Sequence, residues 1–214
     1  MKVHSKADKF FSAEEKERLK ATIQEVESKT IGEIVVMVVD QSDHYIEAEV
    51  LGGVVLGSLL SLILSLLFFH SSIWSYVPLS FVLFFPCLLL FKKVEVLKKH
   101  FIGMRRKDEA VRLRAERVFF EKGLYKTKKN TGVLFFLSLL ERKIWVLADQ
   151  GIYKKMDQET LNRHANEVSK GIREGRACEA LSQAIQEIGV LLSQHFPITA
   201  DDTDELPDEV MTEE

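Results

Sequence analysis

Two carboxylates stand where a polypeptide can gather ligands. Asp149 ends the apolar run Ile144-Trp145-Val146-Leu147-Ala148 and is followed by Gln150-Gly151, a turn where side chain and backbone can converge without disturbing a sheet. Glu33 closes the segment Thr30-Ile31-Gly32-Glu33 ahead of another apolar run. Carboxylate oxygens suit hard divalent cations, so Asp149 and Glu33 are the candidate metal ligands. Calcium takes about six to eight oxygens and would need donors beyond these two. The plainer and weightier reading of each is a turn carboxylate that caps its own backbone or the next helix.

Other reactive residue types fall into no recognisable constellation. A phosphatase needs a nucleophile or a metal-activated water, with positive groups to absorb phosphoryl charge. Asp149 with Arg142 or Lys143 can be drawn that way, but Arg142 more simply serves an exposed hairpin turn. No Cys-x5-Arg arrangement, phosphate loop or clustered His-Asp pair occurs, and His164 stands alone on a helical pattern. The two cysteines, Cys87 and Cys178, suggest neither a disulfide framework nor a thiolate site, in keeping with a reducing compartment. These residues alone favour a non-catalytic interaction or assembly module over an enzyme, with a weak metal-dependent phosphohydrolase as the alternative.

What must position these groups is dominated by one feature. From Val50 through Phe91, 42 residues pass without an Asp, Glu, Lys or Arg. About 20 helical residues span a bilayer core, so the run is long enough for a transmembrane hairpin of two crossings, Val50 to Phe69 and Ile73 to Phe91. Gly53 and Gly57 have a spacing that permits close helix approach, Trp74 and Tyr76 suit an interface, and Pro78 and Pro86 predict kinks. With no ionisable group inside, an anchor in the lipid bilayer is expected rather than a conduction path. Met1 to Glu17 lacks the apolar stretch of a signal peptide, so the expected anchor is internal.

Charge gives the orientation. Residues 92–117 carry 10 basic and 4 acidic side chains, whereas residues 1–49 carry 7 and 11. The basic cluster adjoins the second crossing, which predicts an inner or cytoplasmic membrane protein with both flanks cytoplasmic and only Phe69 to Ser72 on the far side. Anionic headgroups explain Lys92 to Lys107 better than nucleic acid does, because no aromatic platform is interleaved. A membrane protein partner is expected, and no nucleic acid.

Around the hairpin, Ser12-Ala13-Glu14-Glu15 predicts a capped helix to about Lys29, and Ile34 to Val39 a strand covered on both faces. Met104 to Lys122 reads as a basic helix. Gly132 to Ser138 and Lys143 to Ala148 read as an antiparallel hairpin, because no crossover helix fits between them. Asp157 onward and Ala177 to His195 read as helices. The divisions are 1–49, the hairpin 50–91, a basic linker and remaining domain over 92–197, and an acidic tail over 198–214 whose far end is expected to be solvated. A sheet with helices on both faces is the economical architecture.

Thr30-x-Gly32-Glu33 before a strand, Phe119-Phe120 followed by Thr127 and Gly132-Val133-Leu134, then Ile144 to Asp149-x-Gly151-Ile152, together resemble the TPM domain family. Phe196-Pro197 and Asp204-Glu205-Leu206-Pro207 resemble the end segment of its bacterial membrane-anchored branch. The resemblance covers about residues 10–49 and 104–208. It implies an α/β fold, a three-layer α/β/α sandwich of the TPM type, here interrupted by the two-helix hairpin. It also implies calcium binding near the Asp149 turn, as in some members, and the acid phosphatase or assembly roles assigned to others.

Overall fold

The computed structural model describes residues 5–68, 73–127, 129–199 and 205–213. The Phe69 to Ser72 connection expected on the far side of a membrane lies outside the described residues. Two compact units emerge: Met1–Ser42 with Asp108–Glu214, and Asp43–Lys107.

The first unit is built on a four-stranded sheet ordered β3-β2-β1-β4. Strand β1 (Glu33–Val39) pairs in parallel with β2 (Gly132–Ser138), which pairs antiparallel with β3 (Lys143–Ala148). Every residue of β1 and β2 is buried. Alternation along a strand explains how one run serves two cores. Ile34, Val36 and Val38 join one cluster with Leu19, Ile23, Leu181 and Ile185, while Val35, Met37 and Val39 join another with Val111, Ala115 and Phe119.

Helices thus cover both faces of the sheet. α1 (Lys6–Phe10) and α2 (Ala13–Glu27) lie on the first side with α8 (Gln158–Arg173) and α9 (Ala177–His195). α6 (Met104–Glu121) supplies the second. At the start of α2, Ser12 and Glu15 form both hydrogen bonds of the capping box.

The acidic tail differs from expectation. Met211–Glu213 forms β4, parallel to β1, with Met37 opposite Met211 and Val39 opposite Glu213. Glu213 is held by Arg114 and Lys122, and Asp208 accepts from Gln24 Nε2 at 2.8 Å. Main-chain pairing and opposite charges on neighbouring helices therefore draw the far end of the tail onto the sheet, where composition alone predicted a solvated end. Asp201, Asp202 and Asp204 lie outside the described residues.

The second unit holds α3 (Ile46–Phe68), α4 (Ile73–Lys93) and α5 (Glu95–Phe101). α3 and α4 are long and apolar enough to cross a membrane, and they expose large apolar side chains, Phe81 at 72 % and Leu67 at 71 %. Glycine permits their contact. A Cβ on Gly53 would lie 3.2 Å from the Leu88 Cα, and one on Gly57 3.2 Å from the Phe84 Cα. Ser61 Oγ donates to the Tyr76 carbonyl at 2.8 Å. Lys98, 4 % exposed, donates to the His44 carbonyl at 3.0 Å and to Glu49 Oε1 at 2.8 Å, and Arg106 pairs with Asp43 and Glu47.

Candidate metal centre

α8 and α9 run side by side because two glycines allow it. Gly175, at φ 75°, makes the sharp turn between them. Gly171 lets the axes close: a Cβ there would meet the Ala180 Cβ at 2.2 Å. From that contact the register is fixed by helix geometry. Two turns back from Gly171 reach His164, and two turns on from Ala180 reach Glu187. Glu167, three residues beyond His164, shares its helix face.

The result is a trio of ligand-type atoms. His164 Nδ1 lies 3.1 Å from Glu187 Oε2 and 3.5 Å from Glu167 Oε2, and the donor atoms of all three lie within 4.8 Å of one another. His164 is 4 % exposed, and neither ring nitrogen makes a hydrogen bond among the described residues. Nδ1 faces the two carboxylates, and the buried Nε2 is the nitrogen left with no partner among the described residues, which is costly unless something engages it.

The spacing fits an ion. Bonds of about 2.0–2.2 Å in a tetrahedron separate ligand atoms by roughly 3.3–3.6 Å, near the two histidine–carboxylate distances, while the two carboxylates lie within 4.8 Å of each other. One imidazole and two carboxylates leave a coordination position for water, the arrangement of catalytic rather than structural zinc sites. Beside the trio a cavity of about 250 Å³ is lined by Glu167, Lys170, Arg176, Glu179 and Gln183. Glu174 lines it as well and pairs with Arg176, so three carboxylates face two cations there.

The two carboxylates singled out by sequence lie elsewhere. Glu33, 5 % exposed, begins β1, and its Oε1 accepts from the Glu205 N–H at 3.3 Å. Asp149 caps α7 (Gln150–Tyr153), its Oδ1 accepting from the Gln150 N–H at 2.6 Å, while Oδ2 is buried with no hydrogen-bond partner among the described residues. Gly132 stands between them in register, paired to Glu33 on one side and accepting the Asp149 N–H on the other. Two strand spacings, about 10 Å, therefore separate their backbones. Gly151 has a packing reason to be glycine: a Cβ would sit 2.5 Å from the Asn130 carbonyl oxygen, to which its own N–H donates.

Sequence reasoning set His164 aside as isolated. The available signal was His164-x-x-Glu167, two ligand types on one helix face. Glu187 could be added only once the register of the α8–α9 pair was known.

The comparisons bear on this arrangement directly. Residues 97–191 match the TPM domain. The matching family model is named a TPM phosphatase, and its span includes Asp149, His164, Glu167 and Glu187 but not Glu33. The chain also resembles the NMR structure of BA42 protein from the psychrophilic bacterium Bizionia argentinensis, at 20 % identity and a TM-score of 0.60, over 95 % of this chain and 96 % of that one. That likeness concerns the fold. No curated protein matches.

One expectation is overturned. The residue types alone pointed away from an enzyme, whereas a phosphatase family model matching the segment that carries a candidate metal-ligating trio points to catalytic capacity. The calcium expectation is also blunted: the trio marks a candidate divalent site, and a histidine donor does not single out calcium.

Proposed function

We propose that the protein is a membrane-anchored, divalent-metal-dependent phosphohydrolase whose ion is held by His164, Glu167 and Glu187. The observation that carries this reading is the trio itself, a buried histidine whose Nδ1 faces two carboxylates and whose Nε2 has no hydrogen-bond partner among the described residues. The name of the matching family model supports the reaction class. An imidazole among the donors favours an ion of the zinc class. Such an ion, when bound, supplies a Lewis acid and lowers the pKa of a coordinated water. The chain's own share is to fix the ligands across two helices and to place Lys170 beside them, where positive charge counters the charge of the transferring group.

The anchor reading rests on the apolar surface of α3 and α4 and on the basic run that follows, which by charge asymmetry directs the catalytic domain to the cytoplasmic side of an inner membrane. Asp149, with its buried unpartnered Oδ2, and Glu33 are the competing oxygen-donor site.

Detergent-purified full-length protein, titrated calorimetrically with zinc, manganese, calcium and magnesium, tests this beside H164A, E187Q and D149A, with hydrolysis of p-nitrophenyl phosphate followed in parallel. We expect saturable zinc or manganese binding and turnover that disappear in H164A and E187Q and persist in D149A. Binding lost only in D149A would move the site to the Asp149 turn. Binding without turnover under any ion would remove the phosphatase assignment.

A further inference from the structure

The two carboxylates of the trio are not held alike. Gln183 Nε2 donates to Glu187 Oε1 at 2.8 Å, and the other oxygen of that carboxylate, Oε2, is the one that lies 3.1 Å from His164 Nδ1. Among the described residues Glu167 has no such donor, and its ion pair is with His164 alone, at 3.5 Å. One ligand is therefore restrained by a neighbour and the other is not.

Helix geometry puts Gln183 in that place. Ala180, Gln183, Ala184 and Glu187 recur at spacings of three and four along α9, which gathers them on one helix face. That face meets α8 where Ala180 lies against Gly171, and Gln183 lines the same cavity as Glu167. A Gln–Glu bond one turn apart on an exposed surface adds little to the stability of a helix. Its bearing on a ligand is different, because a carboxylate is oriented by what its oxygens accept. Chelation through both oxygens would need Oε1 to leave Gln183 and turn with Oε2 toward His164.

We propose, building on the metal reading of the trio, that Gln183 is a positioning residue: it holds Glu187 by Oε1, so that this ligand offers Oε2 alone and a coordination position stays open. A side-chain amide suits the task. It donates an N–H to the carboxylate without the positive charge of lysine or arginine, which would repel the ion, and without the second carboxylate that glutamate would add to the ligand set. The open position is where an external oxygen ligand such as inorganic phosphate can enter.

The test uses cobalt with detergent-purified full-length protein, because the visible absorption of cobalt weakens as its coordination number rises above four and so reports geometry. Each protein is loaded to saturation and titrated with inorganic phosphate. Gln183→Met keeps the side-chain length and helix propensity and removes the donor. It should absorb more weakly than wild type, since Glu187 then supplies both oxygens, and should bind phosphate roughly tenfold or more weakly, while the metal-free protein melts as wild type does. Gln183→Lys restores a donor to Oε1 and should return the wild-type spectrum. A spectrum and a phosphate affinity unchanged in Gln183→Met, complete loss of cobalt from that variant, or a Gln183→Lys protein that keeps the Gln183→Met spectrum would each overturn the proposal. A wild-type cobalt spectrum that survives H164A, or no spectrum at all, would overturn the metal reading itself and this proposal with it.

Discussion

Glu27, at the end of α2, holds a proton that an ordinary glutamate would have lost. Burial pushes its carboxyl up to about 9, opposed by the Ile34 N–H that donates to Oε1 at 2.7 Å and reinforced by the charges of Glu33 and Asp208. In the unfolded chain the group titrates near 4.5. Between those values the folded protein binds the extra proton, so this contribution to stability is complete below about 4.5 and is lost as pH rises toward about 9. At about 1.36 kcal/mol per pH unit, folding at pH 7 carries a cost of about 3 kcal/mol for that proton. Glutamine needs no proton. Its Oε1 can still accept from Ile34 and its amide can donate to Asp208. Glu27→Gln should therefore lie within about 1 kcal/mol of wild type at pH 5 and exceed it by about 3 kcal/mol at pH 7. Urea titrations in detergent, followed by tryptophan fluorescence at pH 5, 7 and 8.5, give the comparison. A variant destabilised by the same amount at every pH would falsify the proton assignment.

Gly171→Ala should push α8 and α9 apart, costing about 1–3 kcal/mol in thermal unfolding, and should weaken zinc binding at least tenfold. The exchange Gly171→Ala with Ala180→Gly moves the methyl to the other helix and should restore both. Lys98→Met leaves the mostly buried Glu49 without its partner and should cost about 2–4 kcal/mol, read as a lower melting temperature and faster proteolysis. Adding Glu49→Leu should recover much of that loss. Ser12→Ala removes one arm of the capping box and should cost about 1 kcal/mol by urea titration, with no change in metal binding.

Much of the sheet could be read along the chain because the forces that shape it are local or periodic. The wholly apolar Ile34 to Val39 predicted a strand covered on both faces, and both cores are there. The few residues between Ser138 and Lys143 demanded antiparallel pairing, and Arg142 takes a positive φ of 54° in that turn. The Ser12 cap was visible for the same reason. β4 was not, because Met211 to Glu213 is short and polar and becomes a strand only through β1, Arg114 and Lys122, all distant in sequence. The candidate metal trio was half visible. His164 and Glu167 share a helix face, but Glu187 joins them through a close contact made by Gly171 and Ala180, which no periodicity within one helix announces. Asp149 proved readable as a cap, with one oxygen left over.

The sheet order has a consequence for how the chain is made. β1 leaves the ribosome early, yet both of its neighbours, β2 and β4, are encoded after the apolar helices. At about 5–20 residues per second, roughly 10–30 s pass between synthesis of Val39 and of Met211. For that interval a seven-residue strand, six of its residues apolar, has at least one open edge. Nascent chains stalled between those points should therefore be the ones most dependent on holdase chaperones, and release from that dependence should coincide with translation of the last few residues of the acidic tail.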